Sequence, residues 1–215
     1  MISSQPLSPI HNVLEAMHPL WSDETSGPKK VLRFDHTDEE KAAILGLADL
    51  SHQTRAGAKG RGTADWLAGL GVTILSQPNS WSSLPSGGLV ARLGTTEFLV
   101  ENDTQLFDKI NQAKRAAGVY PVLRQEAAFA LCGARVNELL LQTCNVDFRT
   151  LDAEPSKVVL TSMAGVGVTV LSRKSGMYPS YRIWCDGTYG IYLWETLAEI
   201  ATELGGGCIG VNALL

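Results

Sequence analysis

The groups best suited to chemistry are few and scattered. Of the four histidines, His11, His18, His36 and His52, only His52 has a nucleophile beside it, in Ser51-His52. Neighbouring side chains on an extended segment point to opposite faces, so these two do not pair as nucleophile and base. His52 reads first as a pocket or packing residue. There is no Gly-x-Ser-x-Gly elbow and no phosphate-binding loop. Gly165-Val166-Gly167 begins like a dinucleotide fingerprint, but Val170 stands where the third glycine is needed. Cys132, Cys144, Cys185 and Cys208 are widely spaced and mostly flanked by apolar residues. That suits small buried hydrophobes better than zinc ligands or disulfides, and no metal site is expected. Trp81, Tyr178, Tyr181, Tyr189 and Tyr192 cluster near turn residues. They could line a ligand slot, form a partner interface or fill a core.

The elements that would position these groups form an internal repeat. Gly60-Arg61-Gly62-Thr63-Ala64-Asp65-Trp66-Leu67 and Gly133-Ala134-Arg135-Val136-Asn137-Glu138-Leu139-Leu140 each open a helix, about 73 positions apart. Later, Phe98-Leu99-Val100-Glu101-Asn102-Asp103-Thr104 matches Arg182-Ile183-Trp184-Cys185-Asp186-Gly187-Thr188, an apolar strand running into cap residues. In each copy a hairpin precedes an amphipathic helix: Leu89 to Leu93 with Phe98 to Val100, and Val166 to Leu171 with Tyr181 to Cys185. The helices are spaced by Leu106, Ile110, Ala113 and Ala117, stopped at Gly118, and by Leu193, Leu197, Ile200 and Leu204 before Gly205. Asp186 reads as a cap and Glu195 as part of a solvated face. The pattern is α+β: two related halves with antiparallel hairpins and outer helices.

Residues 1–34 read as a loosely ordered arm, with turn and charge chemistry in Ser22 to Lys30 and a docking role open to Leu20 and Trp21. Residues 35–215 form the domain, its halves spanning about 35–120 and 121–211. Thr37-Asp38-Glu39-Glu40 spells a capping box ahead of a helix through Ala42, Ile44 and Leu45. At 215 residues, 45% hydrophobic and net charge −4, the chain can bury a sizeable core. Without a basic run, nucleic acid is a poor partner. Neither a membrane span nor an export signal is present, so a cytoplasmic location is expected.

Taken in order, several segments resemble the aminomethyltransferase family, the glycine cleavage system T-protein and its relatives. Leu47-Ala48-Asp49-Leu50-Ser51-His52-Gln53-Thr54 with Gly60-Arg61-Gly62-Thr63-Ala64-Asp65 is similar to that family's opening strand and helix start. Gly87-Gly88, Arg92-Leu93-Gly94 and Glu97-Phe98-Leu99-Val100 are similar to its central hairpin. Tyr181-Arg182-Ile183-Trp184 with Leu193-Trp194-Glu195 resembles its second-half strand and helix. The resemblance covers roughly Ala42 to Val211.

It implies a folate-binding domain built from two halves, without the family's C-terminal barrel, and tetrahydrofolate as cofactor in one-carbon transfer. Two departures bear on chemistry. Where the family has an acidic pair after Gly-Gly, this chain has Leu89-Val90-Ala91, and Tyr178 stands where a pterin-binding glutamate is expected. A tyrosine can stack but cannot supply a carboxylate's two charge-assisted hydrogen bonds. The resemblance therefore implies weak folate binding, with Tyr178 or Tyr181 stacking on the pterin and Arg173 or Lys174 near its glutamate tail. No catalytic residue is assigned and no aminomethyl transfer by this chain alone is expected. Should a carboxylate have taken over, Glu97 and Glu101 are the first to test. The alternative comes from length and the second half, which are similar to the gamma subunit of heterotetrameric sarcosine oxidase: a non-catalytic subunit whose partners are the other chains of a flavoprotein complex.

Overall fold

The computed structural model describes residues 7–23, 28–149, 156–175 and 178–214. In chain order the elements are α1 (His11–Ala16), β1 (Leu20–Trp21), β2 (Val31–Arg33), α2 (Asp38–Leu45), β3 (Gly46–Asp49), β4 (Arg55–Lys59) and α3 (Thr63–Gly69). There follow β5 (Ser80–Ser83), β6 (Leu89–Arg92), β7 (Glu97–Glu101), α4 (Thr104–Gln112), β8 (Tyr120–Val122), β9 (Ala127–Cys132) and α5 (Val136–Thr143). The last are β10 (Val158–Met163), β11 (Val166–Ser175), β12 (Tyr178–Cys185), α6 (Gly190–Glu203) and β13 (Gly207–Cys208).

The chain divides into two compact units: Met1–His52 with Glu126–Pro155 and Leu160–Leu215, and Gln53–Gln125 with Ser156–Val159. The second unit is built on a five-stranded sheet of order β5-β6-β7-β4-β8, with both hairpin strands where alternation and the Gly94-Thr95-Thr96 turn place them. One sheet face is apolar. Ala56, Val90, Phe98 and Val100 pack there with Leu67 of α3 and Leu106 and Ile110 of α4. Asp103 caps α4 by accepting from the Leu106 amide at 2.8 Å.

The first unit holds a six-stranded sheet of order β10-β11-β12-β9-β3-β13, antiparallel except for the β3–β13 pair. Phe129 meets Trp194 of α6 at 5.4 Å, and the Tyr181 hydroxyl donates to Asn137 Oδ1 of α5 at 3.0 Å, so both helices cover one face. The run β10-β11-β12-β9 repeats β5-β6-β7-β4 strand for strand. Each repeat passes from its last-placed strand into a helix through a glycine of positive φ, Gly60 at 118° and Gly133 at 117°. Asp186, like Asp103, caps the following turn, accepting from the Thr188 amide at 2.9 Å. This is an α+β architecture of two related halves, each with helices on one face of an antiparallel hairpin sheet.

Several local expectations are corrected. The strand match of the two copies slips by one residue: the pairings Arg55↔Glu101 and Ala128↔Trp184 make Glu101 the counterpart of Trp184, as the caps Asp103 and Asp186 require. No capping box forms. Thr37 makes no side-chain cap bond; its hydroxyl donates to Asp35 at 2.5 Å, and the Asp38 carboxylate instead accepts the Phe34 and Asp35 amides. Helix α4 ends at Gln112, because the chain must return to lay β8 beside β4, and the Lys114 carbonyl accepts from Trp66 Nε1 at 3.1 Å. Within the stretch read as a loose arm, Ile10 and Leu14 are fully buried, one helical turn apart, β1 pairs with β2, and His11 lies 5.1 Å from Trp21. Residues 1–6 and 24–27 of that stretch lie outside the described residues.

Candidate functional site

The residues expected to hold a ligand are divided by the pleat of the β11/β12 hairpin. Register pairs Arg173 with Ser180 and Ser172 with Tyr181, so Arg173 and Tyr178 share one face while Tyr181 points to the other. Tyr181 is fully buried under α5, bonded to Asn137 and edge-on to Phe148 at 5.4 Å. It is a core residue and is not placed to stack on a ligand beside Tyr178. Lys174 pairs with Pro179 in the ladder. Gly176 and Met177, between the two strands, lie outside the described residues. His52 is half-buried in the turn after β3, where the first unit's opening segment ends. Of these residues, Arg173 and Tyr178 are the pair that the hairpin brings to one face.

The other aromatics separate in the same way. Trp81 is buried on β5, while Tyr189 and Tyr192 are exposed at the start of α6, the Tyr192 hydroxyl donating to the Ala164 carbonyl at 3.2 Å. All four cysteines are free and buried. Burial pushes the thiols of Cys132 and Cys185 up to about 11 and that of Cys208 to about 12, so they stay protonated at neutral pH. Among the described residues no group of three His, Cys, Asp or Glu side chains could hold a metal ion.

A charged constellation lies elsewhere, on the face of the second unit's sheet opposite its apolar one. Glu101 stands opposite Arg55, and Arg55 Nη1 lies 3.8 Å from Glu101 Oε2 with both side chains all but fully buried. Arg124 donates to Glu97 at 2.6 Å on the same face. Gly57, between Arg55 and Lys59 on β4, makes room for it: a Cβ there would lie 2.5 Å from Arg124 Nε. Glu101 also faces Leu89, the residue that follows Gly87-Gly88. A carboxylate thus sits across the ladder from the position where the resemblance calls for one.

Sequence reasoning named Glu97 and Glu101 but missed their arginines. Alternation in Arg55-Ala56-Gly57-Ala58-Lys59, with alanines toward the core, is the signal that would have found Arg55. Desolvation and attraction oppose each other in such a pair.

With this geometry in view, known proteins can be set beside the chain. No family model matches the sequence, and no curated protein matches it significantly. Among solved structures, the fold is similar to glycine cleavage system aminomethyltransferase T from Bartonella henselae, with TM-score 0.73 and 13% identity over 98% of this chain. The chain spans 61% of that protein's length. It is also similar to a chain of heterotetrameric sarcosine oxidase from Corynebacterium sp. U-96, solved with pyrrole 2-carboxylate. There the TM-score is 0.69 and the identity 18%, over 93% of this chain and 96% of that one. At these identities the likeness is one of fold.

Proposed function

We propose that this chain is a non-catalytic, gamma-type subunit of a sarcosine oxidase-like flavoprotein complex, acting in the cytoplasm. The observation that carries this reading is coverage: the likeness to the sarcosine oxidase chain runs the length of both chains, 93% and 96%, whereas it reaches 61% of the aminomethyltransferase. The buried Arg55–Glu101 pair and the partly exposed Arg124–Glu97 pair support it, since each carboxylate there is engaged by a guanidinium. The test is purification of the tagged chain from its native source under mild salt, with flavin absorbance and gel filtration as readouts. A stoichiometric flavoprotein complex is expected. A chain that elutes alone, without flavin, overturns the reading.

A second reading is weak tetrahydrofolate binding, favoured by the aminomethyltransferase fold and by Arg173 and Tyr178 sharing a face. The expected dissociation constant is weaker than about 10 μM, near −7 kcal/mol. Charge reversal at Arg173 and Lys174 should weaken it by about 1 kcal/mol, as for partly exposed ion contacts. Tyr181→Phe should leave the binding heat unchanged, because that ring is core. Submicromolar affinity in calorimetry would put folate binding ahead of the subunit role.

A further inference from the structure

Charge is distributed unevenly between the two units. Gln53–Gln125 with Ser156–Val159 holds nine Lys and Arg against five Asp and Glu, a net +4. The remainder holds nine against seventeen, a net −8. Much of the surplus gathers at one end of the second unit. Gly60 packs its backbone against the Gly118 carbonyl so closely that no Cβ fits, and Trp66 Nε1 donates to the Lys114 carbonyl at 3.1 Å. These contacts hold the loop after α4 on the start of α3, bringing Lys114 and Arg115 alongside Lys59 and Arg61. Lys59 is the ladder partner of Tyr120.

All four cations are exposed, and among the described residues none has an ion-pair partner. The carboxylates nearest in the chain or the ladder are Asp65 and Glu97; Glu97 stands opposite Lys59 and accepts from Arg124 at 2.6 Å. Beside them, on and just after the outermost strand β8, Tyr120 is 61% and Leu123 is 78% exposed. An exposed apolar pair flanked by an excess of cations has the composition of a protein interface with a charged rim.

We infer that this end of the second unit docks an acidic protein surface, that of the partner subunit in the assembly proposed above. A nucleic-acid backbone is the poorer fit, because the chain is acidic overall and the apolar pair has no role on a phosphate track.

The test is the charge-reversed variant K59E/R61E/K114E/R115E, with E195K/E199K on the exposed face of α6 as control. In the co-purified flavoprotein complex the four-fold variant should bind at least tenfold more weakly and lose most of the salt dependence, while the control binds normally. A complex that is unchanged by the reversal overturns the docking surface and leaves the subunit reading intact. The purified chain alone provides the independent arm, titrated at low salt with poly-L-glutamate and with an oligo-dT strand. Poly-L-glutamate should bind the wild type and not the variant. If it does so while no flavoprotein co-purifies, the surface stands and the subunit reading falls. Failure of the wild type to bind poly-L-glutamate, or tighter binding to oligo-dT, overturns the inference.

Discussion

A single carboxylate, Asp38, accepts from three backbone amides drawn from two distant parts of the first unit: Phe34 and Asp35 at 3.0 Å and Gly210 at 2.8 Å. It is buried, so Asp38→Ala would leave three donors without their acceptor. A loss of about 3 kcal/mol or more is expected in urea unfolding, from hydrogen bonds to a charged group. Asp103 makes a smaller and pH-dependent contribution. Hydrogen bonds from Ser86 and from the Leu106 amide hold its carboxyl below the usual range. Its stabilisation is therefore complete above the unfolded value near 3.8 and is lost as pH falls through the lower folded value. Asp103→Ala should cost about 1 kcal/mol at pH 7, the ordinary worth of an N-cap. The difference from wild type should shrink as the comparison is repeated toward pH 2. The Arg55–Glu101 pair behaves differently, since its members are desolvated together. Glu101→Ala should cost about 3–5 kcal/mol by removing a carboxylate from beside a buried guanidinium, and R55M/E101L should recover most of it. A double variant no more stable than the single one would show that the charges are needed in place.

At the scale of elements, the paired glycines decide how each strand turns into its helix. Gly60 sits at φ 118° with no room for a Cβ beside Gly118, and Gly133 at 117° with a Cβ position 2.5 Å from the Ile44 carbonyl. Alanine at either position should lower stability by about 2 kcal/mol or more, combining an unfavourable backbone region with overlap. Thermal unfolding of G60A and G133A is the check, and a neutral effect at both would mean that the turns can re-form otherwise. These glycines, the two hairpins and the caps were legible in the sequence because each rests on chemistry local to a few residues. Strand register was not. A slip of one residue exchanges the faces of a strand, and the match of Phe98 to Arg182 set a core ring against a residue on the opposite face. Tyr178 and Tyr181, three apart on one strand, could not both face a ligand, a constraint already present in their spacing. The Arg55–Glu101 contact joins positions brought together by β4 pairing with β7, and no local pattern announces it. Helix α4 stopped short of its apolar periodicity because the path back to β8 overrode propensity.

Over the whole molecule, all four thiols are shielded, and three of them are held protonated by burial. Native protein at pH 8 should therefore react with a disulfide reagent far more slowly than unfolded protein, which should titrate four thiols. Rapid modification of one thiol in the native state would reveal local opening around it.

The interleaving of the two units also governs how the chain can fold as it is made. Strand β3 leaves the ribosome roughly 80 residues before its neighbour β9 and about twice that before its other neighbour β13. The intervening second unit can collapse early around its own short-range hairpin, while β3 waits with both edges unsatisfied. Synthesis thus leaves an apolar strand, Gly46-Leu47-Ala48-Asp49, with both edges open until β9 emerges. Misassembly should begin there, and a chaperone that shields extended apolar segments would act first on that stretch.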